Sequence, residues 1–141
     1  MPYPIRIILV DDHDLVRESF KMLLEKDARF SIISHCNNGA EAIELSEKLA
    51  PDVILMDINM SPINGFEATQ RITNINPAVK VIGISIHNSP KYATKMINHG
   101  AKGFVTKTSA FSELTMAIER VYEGENYICT EIRKKLQAKG E

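Results

Sequence analysis

Disulfide chemistry, membrane spanning and a broad electrostatic grip all lack their residues in this chain. Its two cysteines, Cys36 in an expected strand and Cys129 near the end, supply neither a disulfide framework nor a paired-thiol metal site. Both are expected as ordinary reduced thiols. No apolar run approaches the ~20 residues that a membrane-spanning helix needs. The opening Met1-Pro2-Tyr3-Pro4 carries no basic flank or cleavage signal ahead of Ile5, so the expectation is a soluble, cytoplasmic protein with no membrane contact. Seventeen Lys and Arg stand against 18 Asp and Glu, a formal net charge of -1. That balance argues against whole-chain attraction to nucleic acid or anionic lipid and favours protein contact or small-molecule chemistry. The four histidines, His13, His35, His87 and His99, lack metal-ligand spacing. His13, His35 and His99 are expected as surface or packing residues, and Met22, Met56, Met96 and Met116 as core filler.

What the chain does have is a set of polar residues closing its apolar runs. With 141 residues and 44% hydrophobic content it is long enough for one domain with a sizeable core. The run Ile7-Ile8-Leu9-Val10 ends in Asp11-Asp12, and Val53-Ile54-Leu55-Met56 ends in Asp57. Two further runs end in Ser85 and in Thr106-Lys107. A sheet that sets these ends side by side gathers three carboxylates in one cleft, a costly arrangement unless a divalent cation neutralises it. Acids, a hydroxyl and a lysine together suit phosphoryl chemistry at a hard metal ion.

Short β-branched runs alternate with helix-period segments along the chain. Strands are expected at 5–10, 30–36, 53–56, 80–84 and 103–106. The first helix, from about Leu15 to Glu25, turns Val16, Phe20, Leu23 and Leu24 inward, and Asp14 before it suits a capping or dipole-favoured acid. Asn38 with Glu41 resembles a capping box for the second helix. Gly65, Ala68, Ile72 and Ile75 share a face of the third, which Asn76-Pro77 closes. Ser89 as cap and Pro90 as first residue open the fourth, which Gly100 stops. The last begins near Ser109, buries Phe111, Leu114, Ile118 and Val121, and ends at Gly124. Five strand-helix repeats predict an α/β, doubly wound parallel sheet covered on both faces, with no domain boundary before Gly124. Ligands of such sheets sit beyond the carboxyl ends of the strands, where Asp11, Asp12, Asp57, Ser85 and Lys107 all fall. A lone Asp at a strand end is usually a cap, and a lone Lys a solvated charge. It is their joint position that points to a site.

These five residues, with the segment Leu55-Met56-Asp57-Ile58-Asn59-Met60-Ser61-Pro62-Ile63-Asn64-Gly65, resemble the receiver domain of two-component response regulators over about residues 5–124. The resemblance implies a flavodoxin-like (βα)5 fold with sheet order 2-1-3-4-5. It also implies that a sensor histidine kinase phosphorylates Asp57. In that reading Asp57 is the nucleophile, Asp12 and Asp57 bind Mg2+ directly, the backbone carbonyl of Asn59 is a third ligand, and Asp11 acts mainly through water. Ser85 donates to a phosphoryl oxygen. Lys107 pairs with the Asp57 carboxylate before transfer and with the phosphoryl after it. His87, two residues after Ser85, is placed to influence water access, and Phe104 stands at the switch aromatic without a hydroxyl. Two further departures are Ser61-Pro62, where the family commonly has proline one place earlier, and Thr108, where it commonly has a cis proline after the lysine. A cis bond before Thr108 would cost ~3 kcal/mol and is not expected.

Beyond Gly124, the segment Glu125-Asn126-Tyr127-Ile128-Cys129-Thr130 resembles the exit of LuxR/NarL-type regulators. Residues 125–141 are expected as a linker with a short helix from Thr130 through Leu136, leading to a helix-turn-helix output domain that this stretch is too short to form. The implied output is transcriptional, with DNA touched only through that absent domain and phosphorylation changing self-association as a homodimer. A stand-alone receiver is the alternative. An acyl-phosphate phosphohydrolase of the haloacid dehalogenase type normally needs a second acid two residues after its nucleophile, where Asn59 stands. An FMN-binding module of the same fold needs a Ser, Thr and Gly-rich first loop, whereas Asp11-Asp12 would repel phosphate.

Overall fold

An unbroken apolar run such as Val53–Met56 leaves no polar face for water, so it is stable only as a strand covered on both sides. The computed structural model, which describes residues 3–139, uses these runs in that way. Met1 and Pro2, part of the N-terminal stretch read above for a leader, lie outside the described residues, as do Gly140 and Glu141. Strands β1 (Ile5–Val10), β2 (Phe30–Cys36), β3 (Val53–Asp57), β4 (Lys80–Ser85) and β5 (Gly103–Thr106) alternate with helices α1 (Asp14–Glu25), α2 (Gly39–Leu49), α3 (Gly65–Ile75), α4 (Pro90–Asn98) and α5 (Phe111–Tyr122). Ile7, Ile8, Ile54, Leu55, Ile82 and Phe104 are fully buried between the helical layers. Burying each such side chain contributes roughly 1.5–3 kcal/mol.

The five-strand expectation needs one correction. A sixth strand, β6 (Tyr127–Ile128), joins the edge, giving the all-parallel order β2-β1-β3-β4-β5-β6. Two residues are too few for a strand signal in sequence; the pairing is carried by backbone, Tyr127 N–H to Lys102 O at 3.0 Å and Cys129 N–H to Phe104 O at 2.9 Å. Helix α6 (Thr130–Lys139) follows, and Cys129 just before it and Ile132 on its inner face are fully buried. Glu113 of α5 fixes its start, accepting from the Thr130 N–H at 2.7 Å and from the Tyr127 hydroxyl at 2.8 Å. Its outer turn reaches the loop after β4, where Glu131 accepts from the Asn88 amide at 3.0 Å and the Lys135 ammonium donates to the Asn88 carbonyl at 3.1 Å.

Helix starts follow the capping logic in part. Asn38 accepts from the Glu41 N–H at 2.8 Å as expected, and Asn64, which was not singled out, does the same for Glu67 at 2.9 Å. Ser89 holds the cap position of α4 but its side chain makes no capping hydrogen bond. Gly100, at φ 110°, ends α4 in the left-handed conformation glycine tolerates. The helical stripes are narrower than periodicity suggests: Leu23 and Ile75 lie at the margins of their helices, 42% and 53% exposed. Met22 and Met116 likewise face water, whereas Met56 and Met96 are core. Both cysteines are free and buried, and burial pushes the Cys36 thiol up to about 11.

Candidate functional site

The strand order reverses between β1 and β3, so the turns that leave these neighbours open into one cleft at the carboxyl edge of the sheet. Asp11 and Asp12 leave β1 there, Asp57 is the last residue of β3 and Ser85 the last of β4. Lys107 follows β5, and its N–H donates to the Ser85 carbonyl at 2.7 Å. Asp11, Asp57 and Lys107 are thereby brought into contact from three separate turns.

The ammonium of Lys107 is nearly buried, and its firmest partner is Asp11 at 2.9 Å; Asp57 Oδ2 lies at 3.5 Å. Expectation had paired the lysine with Asp57. Asp57 itself is 1% exposed. Its Oδ1 accepts the Asn59 N–H at 3.1 Å, while Oδ2 has no hydrogen-bond donor among the described residues. Burial first, and the Asp11 charge second, push this carboxyl up to about 7, against the pull of Lys107. An under-satisfied carboxylate oxygen held in place beside a lysine is poised to accept an electrophile or a cation. Asp12 and Asn59 are exposed and line an open depression over the site with Met60, Ser61 and Lys95.

Ser85 is fully buried, its hydroxyl oxygen accepting the His87 N–H at 2.9 Å. The His87 ring is exposed and stacks on Tyr92, with ring centres 5.1 Å apart. Phe104 is fully buried below the sheet edge and touches the space above Gly83. The peptide before Pro62 is cis, and the one before Thr108 is not.

His13 corrects the sequence reading. Rather than a bystander, its ring nitrogen Nδ1 lies 3.1 Å from Asp11 Oδ1, 3.2 Å from Asp12 Oδ1 and 3.0 Å from the Lys107 ammonium. Long-range spacing gave no hint of this. The available signal was adjacency to Asp12 in a loop already assigned to the site. Asp11, Asp12, His13 and Asp57 together present ligand atoms all within 4.8 Å of one another. This donor set, mostly hard carboxylate oxygen with one of them unpartnered, fits a divalent cation.

Comparison with known proteins finds relatives of one family. Residues 7–119 match the family model of the response regulator receiver domain. The chain is 39% identical over 132 residues to the transcriptional regulatory protein DegU of Brevibacillus brevis, covering 94% of this chain and 56% of that protein. It is 33% identical over 135 residues to the response regulator GacA of Pseudomonas viridiflava, covering 96% of this chain and 63% of the relative. It therefore spans less than two thirds of these relatives' length. Among solved structures, the two-component response regulator of the LuxR family from Aurantimonas sp. SI85-9A1 superposes with a TM-score of 0.92 at 31% identity, with 96% of each chain covered.

Proposed function

The chain belongs to the response regulator receiver domain family, and from that membership we propose that Asp57 is its phosphoacceptor, charged by a sensor histidine kinase. One observation carries the proposal: Asp57 Oδ2 is buried, without a donor and 3.5 Å from the Lys107 ammonium at the mouth of the sheet. The ionised carboxylate attacks directly, and the nearby Lys107 charge and a bound cation would both favour that form. As the new oxygen–phosphorus bond forms, the bond from phosphorus to the kinase's histidine nitrogen breaks, leaving an acyl phosphate on Asp57. Asp12, Asp57 and the Asn59 carbonyl would hold Mg2+, with Asp11 acting mainly through water. When bound, that ion offsets the charge crowded between attacking oxygen and phosphoryl group. Ser85 would turn its hydroxyl from the His87 N–H to a phosphoryl oxygen, and Lys107 would swing from Asp11 toward the phosphoryl. His87, on the lip of the site, would modulate the water that ends the acyl phosphate by the domain's own autodephosphorylation. Buried Phe104 would respond only through packing.

Incubating the chain with acetyl phosphate tests this reading. Intact mass should show one added phosphoryl group with Mg2+ and none with chelator. Absence of an adduct under both conditions would overturn it.

Lys107 should carry the signal onward, since its ammonium faces Asp57 while its backbone holds the Ser85 carbonyl. Lys107→Ala is expected to remain folded and accept phosphate without the phosphorylation-linked NMR shifts at Ser85 to Asn88 expected of wild type. Wild-type shifts in the variant would remove the lysine from the pathway.

The domain output is proposed as transcriptional, in the cytoplasm, through a helix-turn-helix module that residues 125–141 would join to the receiver. Among the described residues no helix is long and apolar enough to cross a membrane. Phosphorylation would act on DNA indirectly, by altering homodimer formation. The basic cluster Arg133 to Lys135 is too small to supply both base-edge readout and phosphate contacts. This chain alone, at ~1 µM in physiological salt, should therefore leave promoter-fragment mobility unchanged. A shift that survives competitor DNA would place a binding surface on the receiver.

A further inference from the structure

Lysine ammonium groups donate hydrogen bonds and never accept them. The 3.0 Å contact between Lys107 Nζ and His13 Nδ1 is therefore a hydrogen bond in the tautomer protonated at Nε2, which leaves Nδ1 as an acceptor facing the cleft. The nitrogen sits 3.1 Å from Asp11 Oδ1, 3.2 Å from Asp12 Oδ1 and 3.8 Å from Asp57 Oδ2, all of them carboxylate oxygens. Acceptors crowd in this way around a cation, and the ammonium now supplies it. When ligand atoms share one ion at about 2.1 Å, they stand ~3.0 Å apart at right angles and ~4.2 Å apart across it. The three separations from His13 fall inside that range. Asp57 Oδ2 adds an independent sign of a missing ligand, being buried and without a donor.

We propose that His13 is a nitrogen ligand in this cation site, and that it shifts the site's preference from magnesium toward a first-row transition divalent ion. The inference rests on the acidic cluster binding a divalent cation, as proposed above. Its chemistry is selective. Magnesium favours oxygen donors and keeps its waters, so it gains little from an imidazole. Cobalt, nickel and zinc bind imidazole well, and one such ligand among carboxylates raises their affinity relative to magnesium. His13 is half exposed, so the ring has room to settle on an ion as the ammonium leaves.

Calorimetric titration of the whole chain with CoCl2 and with MgCl2, supported by the visible absorption of bound cobalt, separates the possibilities. His13→Ala should weaken cobalt about tenfold or more, in the range expected for removing a ligand or its support. Magnesium should change less than about twofold, and the cobalt band should move. His13→Gln, which offers oxygen in place of nitrogen, should keep magnesium and fail to restore cobalt; circular dichroism checks that both variants fold. Equal losses for the two ions, or no loss for either, would overturn the His13 assignment while leaving the magnesium reading in place. Failure of wild type to bind either ion would overturn both.

Discussion

Asp57→Asn should abolish the acetyl phosphate adduct altogether and, in the same preparation, make the protein more stable above pH 7. Both effects follow from one atom. The carboxylate supplies the only nucleophile proposed for the reaction, and an amide oxygen in its place is a far weaker one. The same carboxylate is buried, and Oδ2 has no hydrogen-bond donor among the described residues and only a long ion pair with Lys107 at 3.5 Å, so its ionised form burdens the fold. Its folded pKa is raised to about 7 from an ordinary 3.8. A raised acid has its full cost above the folded value, and regains stability as pH falls from about 7 toward 4, where the folded carboxyl takes up a proton before the unfolded one does. In chelator at pH 8, the variant should therefore melt roughly 3–8 °C above wild type, corresponding to one or two kcal/mol. By pH 5 the gap should have narrowed, and Mg2+ should narrow it at pH 8 by stabilising wild type alone. An adduct of undiminished yield in Asp57→Asn would end the phosphoacceptor assignment. A variant less stable than wild type at pH 8 would show that Lys107 neutralises Asp57 fully from 3.5 Å.

How much of this was legible in the sequence depends on the range over which each feature is encoded. Runs such as Ile5–Val10 and Val53–Met56 announce covered parallel strands through composition alone, and strand ends in such a fold locate a cleft before any coordinates are known. Asp11, Asp57, Ser85 and Lys107 were accessible to that logic because each closes a run. His13 was not, since nothing about an isolated imidazole says which way it turns after Asp12. The choice of Asp11 over Asp57 as the firmest partner of Lys107 was equally hidden, because it is a matter of about half an ångström between two carboxylates. β6 escaped for a different reason: its two residues are held by backbone hydrogen bonds to Lys102 and Phe104, which leave no periodic trace in side chains. Leu23 and Ile75 were misplaced because period 3.6 marks a stripe, whereas the sheet beneath decides how wide the covered stripe is.

Gly65 was read as a member of an apolar helix face and as the end of the segment after Asp57, and its replacement should be among the most damaging in the chain. A Cβ there would lie 2.3 Å from the carbonyl oxygen of Asp57, 2.6 Å from Ile58 Cα and 3.0 Å from the Asp57 carbonyl carbon. All three are backbone atoms, so no side chain can rotate away. The Gly65 N–H also donates to the Ile58 carbonyl at 3.1 Å, which ties the first turn of α3 to the chain leaving β3. Gly65→Ala must therefore move either the helix or the peptide that carries Asp57. Overpacking of this kind costs roughly 1–3 kcal/mol or more, and a fall in melting temperature of about 10 °C is expected. Gly124→Ala is the comparison. Its Cβ meets nothing within 4 Å, so only the strain of φ 101° remains, a cost of about 1–2 kcal/mol. The two variants should also part in chemistry. Displacing the Asp57 peptide shifts the carboxylate and the Asn59 turn together, so Gly65→Ala should lose acetyl phosphate labelling at temperatures where it is still folded, while Gly124→Ala labels as wild type does. Wild-type melting and labelling of Gly65→Ala would mean that the approach of α3 to β3 relaxes freely, and that the position of Asp57 is fixed by the sheet alone.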